Sequence, residues 1–107
     1  MILENLIDYL DNSKKIDELY ETYKVNTDSE AILVYMEHSL SLNSEIFLFD
    51  IEETEDKIQY KKNNTLFIQL FPVEYAIELL DDLNLKNQGL SNLDIANRLL
   101  QYRINDA

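Results

Sequence analysis

The chain has 107 residues, of which 46% are hydrophobic and 28% charged, and its 21 acidic and 9 basic side chains give a formal net charge of −12. This composition is typical of one globular domain spanning residues 1–107, and it excludes a broad basic surface for nucleic acid or an anionic membrane. The absence of cysteine excludes disulfides, thiolate metal sites and cysteine nucleophiles.

The N-terminal part of the chain favours helices. Apolar residues recur at helical spacing from Ile2 to Leu10. Asn12 then offers a helix N-cap, and a second apolar stripe runs from Ile16 to Tyr23. The two stripes predict either one bent helix or a short helical pair.

The next part of the chain is ambiguous and is followed by strands. The apolar positions of residues 31–40 fit a third helix, although the run ILVY within them could instead form a buried strand. Aromatic, β-branched or alternating residues predict three strands, at residues 45–51, 57–61 and 65–71. Asn63 and Asn64 suit a tight turn between the last two, and we expect an antiparallel meander of all three.

The C-terminal part again predicts helices. Pro72 suits the first turn of one helix, and Gly89 marks the break after it. Ser91 is a good N-cap for a final helix, with Asp94 in its first turn. The predicted fold class is therefore α+β, with a small antiparallel sheet of about three strands flanked by N-terminal and C-terminal helices.

The stretch FDIEETEDKIQY, residues 49–60, concentrates negative charge in the expected first turn of the meander. Its acidic residues are Asp50, Glu52, Glu53, Glu55 and Asp56. A calcium loop of the EF-hand type starting at Asp50 needs glycine at its sixth position and glutamate at its twelfth, but the chain has Glu55 and Lys61 there. We therefore expect no metal site.

The same stretch does not favour catalysis. General acid–base chemistry needs carboxyls with different pKa values, and acids that are all solvated in a surface turn do not meet that condition. His38 is the single histidine, so it cannot build a usual zinc site. We expect it either at a partly exposed helical position or bonded to a backbone carbonyl. We expect no enzyme activity, no catalytic residues and no cofactor.

A partner-binding role fits the stretch better. A dense negative charge attracts basic partners and speeds their encounter, and an aromatic ring close to carboxylates suits a lysine or arginine of a partner. Tyr60 ends the strand that follows the acids. The predicted partner-binding residues are therefore Asp50, Glu52, Glu53, Glu55, Asp56 and Tyr60.

Three segments, SEIFLFDIEETED, LFIQLFPVEYAIELLDDL and GLSNLDIANRLLQYRINDA, together resemble small acidic immunity proteins of bacterial contact-dependent growth inhibition systems. The resemblance covers about residues 29–107. It implies a cytoplasmic protein that binds and blocks the toxic domain of a cognate effector, often a nuclease. A nuclease must present a basic surface to hold its substrate, so the negative charge of the chain agrees with that role.

Two other functions remain open. One is a phage or bacterial DNA mimic that blocks a nucleic-acid enzyme, although bunched acids with Lys57, Lys61 and Lys62 close behind favour a compact protein interface. The other is a generic acidic interaction domain. The N-terminus lacks the features of a signal peptide, and we expect a cytoplasmic location with no direct contact to nucleic acid, membrane or small-molecule ligand.

Overall fold

A computed structural model describes residues 1–106, with the side chains of Lys86 and Asp106 excepted. The fold is α+β, with five α-helices and a four-stranded antiparallel sheet in the described part of the chain. In chain order the elements are α1 (Leu3–Leu10), α2 (Ser13–Tyr23), β1 (Ile32–Glu37), β2 (Ile46–Asp50), α3 (Ile51–Thr54), β3 (Gln59–Lys62), β4 (Thr65–Pro72), α4 (Val73–Asp82), a 3₁₀ turn (Leu85–Asn87) and α5 (Asn92–Asp106).

The predicted caps at Asn12 and Ser91 agree with the structure, whereas Pro72 ends β4 and is the N-cap of α4 instead of lying in its first turn. The N-terminal stripes form a helical pair, because Asn12 adopts an extended conformation and its side chain accepts hydrogen bonds from the amides of Lys14 and Lys15. Ser91 caps α5 by accepting a hydrogen bond from the Asp94 amide at 3.1 Å. These caps satisfy amides that the first turn of a helix leaves without intrahelical partners.

The ambiguous stretch is strand β1, and the helical interpretation of it is wrong. Ile32, Val34 and Met36 face the helices, whereas Leu33 and Tyr35 belong to a cluster on the other face of the sheet. All five are buried, so the strand has apolar residues on both faces and no alternating pattern. His38 follows the strand in an exposed position with φ of 69°, not on a helix.

The strand order is β2-β1-β4-β3, so the expected meander is wrong. The expected meander did not contain β1, which pairs with both β2 and β4. As a result, β2 and β3 lie at opposite edges of the sheet. The acidic stretch is therefore not a hairpin turn. It is a connection from one edge of the sheet to the other, and α3 forms its first turn.

The turn between β3 and β4 is the predicted one. Lys62 pairs with Thr65, which leaves a two-residue loop of Asn63 and Asn64 with φ of 52° and 65°. Two central residues with positive φ define a type I′ turn, and asparagine tolerates this conformation better than most residues.

The sheet separates two apolar clusters of different character. Aliphatic residues of the longer helices fill the larger cluster on one face. The other face carries Leu33, Tyr35, Phe49 and Phe67, with Phe47 and Tyr60 packed beside them. The register of β4 against β1 skips Leu70, and this bulge turns Phe71 toward the helices while Gln69 stays beside Tyr35.

Candidate functional site

The acidic segment, residues 50–56, has a backbone fixed by its own capping interactions. The side chain of Asp50 accepts a hydrogen bond from the Glu53 amide at 3.0 Å and so caps α3. The two residues after the helix, Glu55 and Asp56, both adopt left-handed conformations, with φ of 55° and 59°. Such conformations cost non-glycine residues free energy, so the surrounding contacts must hold this turn in place.

Glu53 ties the segment to the far edge of the sheet. Its Oε2 atom accepts a hydrogen bond from the Tyr60 hydroxyl at 2.8 Å. The same atom forms a salt bridge with Lys62 Nζ at 3.0 Å. Partial burial, and then the hydrogen bond and charge of Glu53, raise the pKa of Tyr60 to about 12. Tyr60 is therefore a structural partner of Glu53, and its hydroxyl is engaged within the protein.

A buried polar network holds the end of the segment. Gln69 Nε2 lies 3.1 Å from Asp56 Oδ1, 3.2 Å from the Tyr35 hydroxyl and 3.4 Å from the Lys57 carbonyl. The Tyr35 hydroxyl donates to the same Lys57 carbonyl at 2.6 Å. Gln69 and Tyr35 are both buried, so these bonds form in a low-dielectric interior where an unpaired partner is costly.

Two carboxylates of the segment remain available to a partner. Glu52 and Glu55 are exposed and form no ion pair with any residue that the structure describes. Asp56 is exposed but already accepts the Gln69 hydrogen bond. The structure thus brings the six predicted residues into one region, and it assigns supporting roles to Asp50, Glu53, Asp56 and Tyr60.

Two polar residues of this region were not predicted as part of the site. Gln69 interrupts an otherwise apolar strand, and that interruption was the available signal, because a lone polar residue in a buried strand requires specific partners. Thr54 is 1% exposed, and its hydroxyl has no hydrogen-bond partner among the described residues. Nothing in the sequence around Thr54 distinguishes it from an exposed residue of a polar turn.

An apolar groove adjoins the acidic segment. It has a volume of about 520 Å³ and is lined by Ile58, Gln69, Leu70, Phe71, Pro72, Tyr75, Tyr102 and Arg103. Ile58 is 53% exposed and Tyr75 38%, which is high for large apolar side chains. Ile58 lines the groove two residues after Asp56, and Gln69 lines it and contacts Asp56 from the interior, so the groove lies next to the acidic segment.

Within residues 1–106, histidine, aspartate and glutamate side chains form no group of three that could hold a metal ion. His38 Nε2 lies 3.2 Å from the Oε1 atom of Glu37, its neighbour in the chain. In the same residues, every helix is too short or too polar to cross a bilayer.

Comparisons with known proteins add no identification. No family model matches the chain, and neither the curated proteins nor the solved structures include one that is significantly similar to it.

Proposed function

We propose that this protein binds and inhibits a basic protein, and that its partner is the toxic domain of an effector, of the nuclease type. The observation that carries the proposal is the position of the apolar groove next to the acidic segment, since Ile58 lines the groove two residues after Asp56. Charged residues around an exposed apolar patch are the usual arrangement of a protein interface.

The charges of the surface support a basic partner. Glu52 and Glu55 have no compensating cation among the described residues, so their field acts outward. The net charge of −12 adds a longer-range attraction. Complementary charge of this kind mainly raises the association rate with a basic partner.

The groove offers apolar surface that a partner can bury, which the exposed charges do not. Exposed acids alone give little net affinity, because solvent screens them. An apolar anchor that enters the groove and covers Ile58 and Tyr75 would bury the largest exposed apolar side chains of this region. Buried anchors contribute most of the binding energy in typical interfaces.

Inhibition would follow from occlusion. A nuclease holds its substrate with a basic surface, and a protein bound to that surface excludes the nucleic acid. The fixed backbone of residues 50–56 supports this role, since a preorganised surface loses little entropy on binding. No catalytic step is required of the inhibitor.

The test is protection of cells from the toxic domain encoded beside this gene, together with the affinity of the two purified proteins. We expect the wild-type protein to restore growth, the double variant Glu52→Lys/Glu55→Lys to weaken binding at least about tenfold, and Ile58→Ser to weaken it by a similar factor. The matched control is Glu18→Lys/Glu21→Lys on α2, which changes the net charge equally at exposed positions.

Two results would contradict the proposal. One is full protection by the Glu52→Lys/Glu55→Lys variant with unchanged affinity. The other is a complex in which the partner's substrate-binding surface stays open to nucleic acid. If instead the wild-type protein competes with DNA for several unrelated nucleases, the DNA-mimic function replaces this one.

A further inference from the structure

A second groove lies where the two edge strands of the curled sheet face each other. It has a volume of about 360 Å³, and residues of β2, of the β3–β4 hairpin and of the end of α2 line it. Phe47, Phe49 and Phe67 supply apolar walls, and Lys24 and Lys62 lie at its sides. This groove is distinct from the apolar groove at Ile58. Of its two lysines, Lys62 is paired with Glu53, and Lys24 forms no ion pair among the described residues.

The edge of β2 that borders the groove has unused backbone groups. The Ile46 amide donates to the Met1 carbonyl at 2.8 Å, and the Ile46 carbonyl accepts from the Tyr23 hydroxyl at 2.9 Å, so both groups point away from β1. Backbone directions alternate along an antiparallel strand, and therefore the amide and carbonyl of Leu48 also point away from β1. Leu48 lines the groove, and no hydrogen bond to these two groups occurs among the described residues.

The basic side chains at the groove favour an acidic occupant. Lys62 Nζ lies 5.4 Å from the centre of the Phe49 ring and pairs with Glu53. Lys24, exposed at the C-terminus of α2, forms no ion pair among the described residues. The chain has only 9 basic side chains against 21 acidic ones, so two lysines beside one aromatic groove form a local exception.

We infer that this groove binds an extended acidic segment of a partner protein, which adds to the β2 edge at Leu48. Its backbone would pair with the free amide and carbonyl of Leu48, one apolar side chain would pack on Phe47 and Phe49, and a flanking carboxylate would reach Lys24. The volume suits a segment of a few residues.

The experiment uses three capped peptides and the whole protein labelled with ¹⁵N. The first peptide alternates valine and glutamate around a central phenylalanine, the second replaces its glutamates with lysines, and the third methylates the backbone nitrogens of the first. We expect the acidic peptide to shift the amide signals of Phe47, Leu48 and Phe49, the lysine peptide to bind these residues at least about threefold more weakly, and the methylated peptide to lose at least about tenfold in affinity.

Charge-changing variants test whether the acidic peptide binds beside Lys24. Lys24→Glu should weaken binding of the acidic peptide at least about threefold, whereas Lys14→Glu, an exposed position near the start of the same helix, should leave it unchanged. Glu52→Lys/Glu55→Lys should not reduce it, so failure of this inference is separable from failure of the proposed inhibitory function. The inference is overturned if none of the peptides shifts the β2 signals, if the lysine peptide binds there equally well, or if those signals change only through self-association.

Discussion

The rings of Phe49 and Tyr60, which lie on opposite edge strands of the sheet, have centroids 5.3 Å apart in an edge-to-face arrangement. Strands β1 and β4 lie between β2 and β3 in the sheet, so the contact between the two rings requires a strongly curled sheet. Glu53 spans the same gap from α3 to Tyr60 and Lys62. The acidic segment therefore closes the curled sheet as well as presenting charge.

The bond between Tyr60 and Glu53 predicts a specific loss of stability at alkaline pH. The pKa of Tyr60 is about 12 in the folded protein and 10.0 in an unfolded chain, so the protonated hydroxyl contributes stability that is fully present below pH 10 and is lost as the pH rises through 12. The free energy of unfolding of the wild type should exceed that of Tyr60→Phe below pH 10, and the difference should shrink toward pH 12.

Denaturant titrations of both proteins between pH 9 and 12 measure this difference. Burial also raises the pKa values of Tyr20 and Tyr23, so only the wild-type minus Tyr60→Phe difference isolates the Glu53 contact. A difference that stays constant over this range would contradict the assigned role of Tyr60.

Gln69→Leu should destabilise the protein by about 1–3 kcal/mol, because it leaves Tyr35 and Asp56 without their amide donor. The double variant with Tyr35→Phe should cost less than the sum of the single variants, since both belong to one network. Chemical denaturation gives these free energies, and hydrogen exchange should show faster exchange in residues 55–58. Strict additivity of the two variants would show that the network does not act as a unit.

Thr54→Val should stabilise the protein by about 1 kcal/mol. The substitution keeps the shape of the side chain and removes a buried hydroxyl that has no described partner. Thr54→Ser is the matched control, because it keeps the hydroxyl and removes the methyl group, and it should destabilise. Thermal or denaturant unfolding distinguishes the two, and a marked destabilisation by Thr54→Val would mean that the hydroxyl has a partner such as a buried water.

Glu55 combines an unfavourable backbone conformation with an exposed carboxylate. Glu55→Gly should raise the free energy of unfolding relative to Glu55→Ala by about 1 kcal/mol, because glycine adopts φ of 55° without the steric cost of a Cβ atom. Both variants should bind the proposed basic partner more weakly than the wild type and by the same factor, since both remove the same charge. Equal stability of the two variants would show that the left-handed turn carries no strain.

The sequence predicted the local features of this fold better than its long-range pairing. The caps at Asn12 and Ser91 and the turn at Asn63 were predicted because each depends on neighbouring residues. The nature of residues 31–40 stayed ambiguous because a strand buried on both faces has no period of two. The position of β1 between β2 and β4 depends on contacts distant in sequence, which no local pattern contains.

Prediction of the candidate site from the sequence was limited for the same reason. Charge density identified the acidic segment, but it could not separate the carboxylates that bind within the protein from those that face outward. Glu53 and Glu52 are adjacent in sequence, yet only Glu53 points to a partner on the opposite edge strand. The apolar groove was also beyond prediction, because Ile58 and Tyr102 approach each other only in the folded chain.

The most direct measurement of the central claim is the association rate of this protein with its proposed partner, a basic toxic domain of the nuclease type, as a function of salt. We predict that raising the salt from 50 to 500 mM slows association of the wild type at least about tenfold, and that Glu52→Lys/Glu55→Lys lowers the rate at low salt and flattens this dependence. Glu18→Lys/Glu21→Lys should retain most of the salt dependence. An association rate that responds neither to salt nor to reversal of Glu52 and Glu55 would contradict a binding surface built on the acidic segment.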